Sequence, residues 1–249
     1  MFLVFKDPSA VAQFVSERLV QLIKDKPAAI LGLATGSTME PVYERFCQDV
    51  KAQGLDVSQL SSFNLDEYIG LSADHPQSYH YYMNRYLFDH LNFAKSKTFV
   101  PDGTPVDVEL HCEQYSQKIM DNGGIDLQLL GVGANGHIGF NEPGTPFDGR
   151  THVIDLSVQT RIDNSRFFDS MDEVPTRAVT MGMKDIMEAK QILFIATGAN
   201  KADVVAALYA SDYDEQMPAS MLKRHPNTLF IIDEKAAAQL PASAVQRMA

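Results

Sequence analysis

The feature that most restricts the fold is a repeated alternation of short, nearly unbroken apolar runs with longer stretches of helical spacing. Ala28 to Ala34 (AAILGLA), Ile125 to Val132 (IDLQLLGV), Gln191 to Thr197 (QILFIAT) and Thr228 to Asp233 (TLFIID) are the clearest such runs. A strand with one wet face alternates apolar and polar residues, whereas a nearly continuous apolar strand is covered on both faces, the condition of parallel strands. Ser61 to Leu65, Lys97 to Val100, His152 to Leu156 and Arg177 to Met181 complete the strand set. Between them, Val11, Phe14, Val15, Leu19, Leu22 and Ile23 recur at three- and four-residue steps behind an Asp7-Pro8 start signal. Pro41 to Gln53, Ser78 to His90, Val106 to Asp121, Lys201 to Ala210 and Glu234 to Leu240 read as further helices. The alternation predicts a three-layer α/β/α fold, Rossmann-like, around a mostly parallel open sheet. No repeat, low-complexity tract or Pro/Ser-rich linker divides the 249 residues, so residues 1–249 are expected to form a single domain.

Charge narrows the partners. A formal net charge of −11 argues against a nucleic acid or an anionic membrane, which demand clustered Lys and Arg. An anionic small molecule must then be met by a few local donors. The two cysteines, Cys47 and Cys112, form no CxxC pair and are expected as buried thiols in a reducing compartment, with no metal site. The start MFLVFKDPSA lacks a basic leader and a long apolar core. No apolar run reaches the roughly 18 residues that span a bilayer, so the expected location is the cytoplasm.

In parallel α/β sheets, ligands bind beyond the carboxyl ends of strands, so the loops that follow strands are the places to look for chemistry. LATGSTMEP ends a strand in a small-residue turn before a helix. There Gly36 permits close approach, and amides with the hydroxyls of Thr35, Ser37 and Thr38 suit an anion such as phosphate, or serve merely to cap the helix. FNLDEYIGL places Asp66 and Glu67 at a strand end, where neighbours point oppositely, so at most one faces a ligand. GVGANGHIGFNEP fits GxGxxG, and Asp155 supplies an acid near the end of a later strand, about 20 residues on, as a dinucleotide fingerprint asks. That fingerprint also needs a helix from the third glycine, which Pro143 and Pro146 with Gly139, Gly144 and Gly149 forbid. What remains is a tight turn presenting Asn135, His137, Asn141 and Glu142 at the sheet edge, equipment for acid/base work. Arg166 and Lys201 are the cations placed to close on a phosphate.

Taken together, LGLATGST, FNLDEYIGL with HPQSY, GVGANGHIGFNEP, TRIDNSRFF, AVTMG, TGANK and HPNTLFIIDE resemble the glucosamine-6-phosphate deaminase family, in order from about Ala28 to about Ala238. The resemblance implies conversion of glucosamine 6-phosphate and water to fructose 6-phosphate and ammonia, without metal or nucleotide cofactor, in amino-sugar catabolism. It implies that Asp66 is the proton acceptor between C2 and C1, that His137 opens the ring with Glu142 and Asn135 as partners, and that Thr35 to Thr38, Arg166 and Lys201 hold the phosphate. Residues 158–176 would be a mobile lid. Closure of the site is expected to desolvate Asp66 and raise its pKa.

Two departures from the family pattern bear on the chemistry. Asn135 stands where some members carry Asp, so the amide can orient His137 but Glu142 must supply the negative partner. At the places where larger hexameric members bind an allosteric activator, this chain has His152 and Ile154, and its C-terminus ends early, so an unregulated short form is expected, with monomer favoured. Galactosamine 6-phosphate is the alternative substrate. 6-Phosphogluconolactonase lacks the NEP that supplies Glu142, and a non-catalytic sugar-phosphate sensor would carry an added DNA-binding segment.

Overall fold

The computed structural model describes residues 1–165, 168 and 170–248, the side chains at 159, 163 and 164 aside. In chain order the elements are β1 (Phe2–Phe5), α1 (Pro8–Asp25), β2 (Ile30–Leu33), α2 (Glu40–Gln53), β3 (Ser61–Asn64), β4 (Asp66–Tyr68) and α3 (Tyr79–Tyr86). Then come β5 (Thr98–Phe99), α4 (Val108–Asp121), β6 (Leu127–Leu130), β7 (His152–Asp155), α5 (Val158–Ser165) and β8 (Arg177–Thr180). The chain finishes with α6 (Met183–Met187), β9 (Ile192–Ala196), α7 (Ala202–Ala210), β10 (Thr228–Asp233) and β11 (Val245–Arg247).

Eight strands form one sheet in the order β11-β1-β10-β9-β6-β2-β3-β5, with every pairing parallel and helices flanking it. The continuous apolar runs are its centre: β2, β6 and β9 are buried at every position. From β2 the chain steps outward to β3 and β5, whereas from β6 it steps the other way to β9 and β10. The sheet therefore has its topological switch point between β2 and β6, where the loops leaving the two strands diverge and a crevice must open.

Helix starts follow the sequence signals. Asp7 accepts from the Ala10 N–H ahead of Pro8, Ser78 from Tyr81, and Asp107 from Leu110, each satisfying an amide that has no partner inside its helix.

Several expectations need correction. The strands expected at 152–156 and 177–181 are β7 and β8, but they belong to a separate three-stranded antiparallel sheet, β4-β8-β7, not to the parallel sheet. The stretch 234–240 is a series of turns rather than a helix, because Asp233 holds the Ala236 N–H and Pro241 soon blocks continuation. β1 and β11 pair in parallel at one edge of the main sheet, where no strand was expected. The proposed lid, 158–176, comprises α5 and a 3₁₀ turn at Met171–Glu173, while residues 166, 167 and 169 lie outside the described residues. Cys47 and Cys112 are buried and unpaired with each other. No helix is long and apolar enough to cross a membrane among the described residues.

Candidate active site

A cavity of about 770 Å³ occupies the switch point. Ala34 to Glu40, leaving β2, make one wall, and Thr35, Gly36, Ser37 and Thr38 all line it. Two carbonyls of this loop are committed to tyrosines: Tyr43 Oη donates to Ala34 O at 2.5 Å and Tyr82 Oη to Gly36 O at 2.9 Å. Among the described residues no side chain caps the first turn of α2, which starts at this wall. Lys201, where α7 begins, also lines the cavity. Its Nζ donates to Val132 O at 2.8 Å, at the end of β6. Burial lowers the Lys201 pKa, and no carboxylate among the described residues offsets that desolvation. A partly desolvated ammonium facing hydroxyls and amides is a grip for an anion. Arg166, the other cation expected here, lies outside the described residues.

Asp66 lies where the chain passes from the parallel to the antiparallel sheet: Leu65 N–H donates to Leu33 O of β2, while Asp66 pairs with Thr180 of β8. Only 6% exposed, Asp66 lines the cavity, and burial, reinforced by the charge of Glu67, pushes its pKa up to about 8. The neighbouring Glu67 points away, as alternation along a strand requires. It accepts the N–H groups of Tyr68, Tyr79 and His80 at 2.8, 3.0 and 2.9 Å and so holds the start of α3. Both carboxylates are buried, so FNLDEY is no solvated acidic turn.

The glycine-rich loop leaving β6 forms turns, without the helix that a dinucleotide fingerprint needs. His137 lines the cavity. Asn135 and Glu142 stand behind it: His137 Nδ1 is 2.7 Å from Asn135 Oδ1, and Asn135 Nδ2 is 2.7 Å from Glu142 Oε2. The direct separation of His137 Nδ1 from Glu142 Oε2 is 3.7 Å. A carboxylate only accepts, so the amide must turn its NH₂ toward Glu142 and its oxygen toward His137. The His137 backbone N–H, 3.3 Å from the same oxygen, agrees with that orientation. Neutral His137 therefore carries its proton on Nδ1, and its basic lone pair is on Nε2. Gly133 makes this possible, since a Cβ there would lie only 2.0 to 2.3 Å from three atoms of the imidazole ring.

Asn141 is not presented at the sheet edge as expected. It is fully buried, and its amide donates to Ile138 O at 2.8 Å and Met181 O at 2.9 Å, tying the loop to the end of β8. The Phe140 N–H donates to Thr180 Oγ1 at 3.1 Å, so the residue paired with Asp66 also anchors the histidine loop. Asp155 is exposed at the far end of β7 and lines no part of the cavity.

Sequence reasoning missed several wall residues. Tyr68, Tyr79, Phe140 and Phe168 pack as an aromatic cluster along one side, and α3 adds Tyr82, Arg85 and Tyr86. Thr160 of α5 also lines the cavity and donates to Glu142 Oε1 at 2.6 Å. Its one signal was its place at the head of TRIDNSRFF. Among the described residues no group of three or more His, Cys, Asp or Glu side chains is placed to hold a metal ion.

Residues 8–231 match the family model described as glucosamine-6-phosphate isomerases/6-phosphogluconolactonase. The chain belongs to this family. It is 47% identical over 231 residues to the glucosamine-6-phosphate deaminase of Geobacillus sp. (strain WCH70), covering 93% of this chain and 92% of that one. It is 48% identical over 237 residues to the deaminase of Rhodopirellula baltica, covering 95% and 94%. A solved structure described as a monomeric glucosamine-6-phosphate deaminase superposes with a TM-score of 0.93 at 42% identity, covering 96% of this chain and 99% of that one. The 6-phosphogluconolactonase of Trypanosoma brucei superposes at 0.74 with 20% identity over 97% and 98%, a likeness of fold alone.

Proposed function

We propose that this chain converts glucosamine 6-phosphate and water to fructose 6-phosphate and ammonia. The observation that carries the reading is that one cavity holds a buried carboxylate raised to about 8 and, on a separate loop, an imidazole backed by a carboxylate. Ring opening and aldose-to-ketose isomerisation each need such a group, at different atoms of the same sugar.

The phosphate rests against Thr35 to Thr38 and Lys201, with Arg166 closing on it, and this fixes the sugar relative to the two acid/base groups. His137 Nε2 takes the O1 proton of the pyranose and returns a proton to O5, giving the open chain. The imidazolium formed in between is stabilised by Glu142 through Asn135. Ionised Asp66 then removes the C2 proton and delivers it to C1. As this happens the carbonyl O1 gains a proton and the amine loses one N–H proton, so that C1 becomes CH₂OH and C2 an imine, which water hydrolyses to the ketone and free ammonia. The chain is read as a single-domain cytoplasmic enzyme of amino-sugar catabolism, including use of N-acetylglucosamine, with α5 and its return segment as lid. It is read as monomeric, as its relative at TM-score 0.93 is described.

Ammonia release from glucosamine 6-phosphate and galactosamine 6-phosphate, assayed side by side with hydrolysis of 6-phosphogluconolactone, tests this. Fastest turnover is expected with glucosamine 6-phosphate. Faster hydrolysis of the lactone, or release of ammonia from neither amino sugar, would remove the basis for the proposal.

A further inference from the structure

We infer that Thr160 is a positioning residue for His137, acting from the lid helix through Glu142. The inference rests on the function proposed above and concerns the same site.

The direction of each hydrogen bond follows from the donors present. Ser157 Oγ accepts the Thr160 backbone N–H at 3.0 Å, the capping bond that starts α5. The Ser157 hydroxyl proton is directed at Thr160 Oγ1, 2.9 Å away. With that lone pair occupied, Thr160 delivers its own proton to Glu142 Oε1 at 2.6 Å, the short distance of a hydroxyl on a carboxylate. Glu142 takes its second donor, Asn135 Nδ2, at the other oxygen, and Asn135 Oδ1 takes the His137 Nδ1 proton. One unbroken chain thus runs from Ser157 to the imidazole, with the carboxylate accepting from both sides.

Thr160 is buried, and the Glu142 side chain is 16% exposed. Removing the hydroxyl leaves Oε1 short of a donor in a place where water replaces it poorly. The carboxylate is then free to turn toward His137 Nδ1, now 3.7 Å away, and to displace the Asn135 amide from between them. The ring loses its fixed tilt. Because Ser157 and Thr160 open α5, the chain is complete only while the lid helix holds this position, which couples ring opening to the lid.

The test uses Thr160→Val, which keeps shape and removes the hydroxyl, with Thr160→Ser as the conservative partner. On glucosamine 6-phosphate, Thr160→Val is expected to lower kcat about tenfold with KM changed less than about threefold, and Thr160→Ser to restore kcat to within about twofold. In full-length protein carrying 15N-labelled histidine, neutral His137 should hold its proton on Nδ1 with the same 15N shift in the wild type and in Thr160→Ser, and should show a displaced Nδ1 shift in Thr160→Val, where the carboxylate takes the place of the amide oxygen as acceptor. Wild-type kcat in Thr160→Val, or equal losses in both variants, overturns the inference. So does a wild-type imidazole protonated on Nε2, a result that needs no variant to fold. If the wild type releases no ammonia from either amino sugar, the proposed function fails while the comparison of His137 Nδ1 shifts still decides the role of Thr160.

Discussion

Asp66 and Glu67 are consecutive on β4, yet one carboxylate faces the cavity while the other receives three backbone N–H groups at the start of α3. Burial raises Glu67 to about 7 against the pull of those donors, whereas the cavity-facing group has no such donors among the described residues and is pushed to about 8. As the proposed base it works only when ionised. In the free enzyme kcat/KM should therefore rise with pH through a limb near 8. The substrate ammonium beside it favours the charged form, so the limb in kcat should lie lower. Asp66→Asn should reduce kcat by on the order of 10²-fold or more and abolish the limb. A wild-type kcat/KM that is flat from about pH 6 to about pH 9 would contradict the assignment.

The same shift makes the wild type less stable as pH rises. Between the ordinary value, 3.8, and the folded value, about 8, the unfolded chain has released the Asp66 proton and the folded chain retains it, so raising the pH favours unfolding. The slope from this group is at most about 1.4 kcal/mol per pH unit. Asn at position 66 carries no such dependence. Thermal unfolding of both proteins should show the variant gaining on the wild type from about pH 5 to about pH 8, with a constant difference above that. A pH-independent difference would show that Asp66 is not protonated in the fold.

Glu67 is a structural carboxylate with a reach into the chemistry. Replacement by Gln leaves one acceptor oxygen and sets an NH₂ donor against backbone N–H groups, at a cost of about 1–3 kcal/mol. It also removes the charge that helps raise the Asp66 pKa. Glu67→Gln should lower Tm and move the Asp66 limb of kcat/KM to lower pH. A lowered Tm with an unmoved limb would assign the Asp66 shift to burial alone.

Lys201 offers the cleanest division between binding and chemistry, because no proton passes through it in the proposed mechanism. Lys201→Met keeps bulk and removes the charge. A charge-assisted hydrogen bond in a partly desolvated site is worth about 1.5–3 kcal/mol, so KM should rise about 10- to 100-fold with kcat within about threefold. Steady-state kinetics on glucosamine 6-phosphate decide it, and a fall in kcat alone would place Lys201 elsewhere in the reaction.

What could be read from the chain and what could not divide along physical lines. AAILGLA, QILFIAT and TLFIID announced themselves because strands buried on both faces leave continuous apolar runs. Arg177 to Thr180 was legible as a strand, but nothing local tells that it pairs with Asp66 to Tyr68 in a second sheet, since pairing is a long-range property. β11, with the sequence VQR, is too short and polar to leave a pattern. In the site, the spacing of His137 and Glu142 was visible in one loop, whereas the insertion of Asn135 between them depends on the backbone path of that loop. Thr160 reaches Glu142 from another element, and no periodicity links the two.

Gly133 gives the sharpest test of how the histidine loop is built. Its φ is not in the left-handed region, so the backbone itself accepts alanine. The obstacle is the His137 ring, whose nearest atom would be 2.0 Å from the methyl. Gly133→Ala should thus displace the imidazole without straining the main chain, while the loop at Thr35 to Thr38 and Lys201, on other elements, keep their positions. A displacement of about 1 Å at a reacting group costs on the order of 10²-fold in rate, so kcat should fall by about that factor with KM nearly unchanged. Circular dichroism and Tm would show the fold retained. If kcat is kept, the imidazole has room to move without loss, and the stacking of His137 on Gly133 is not what sets its aim.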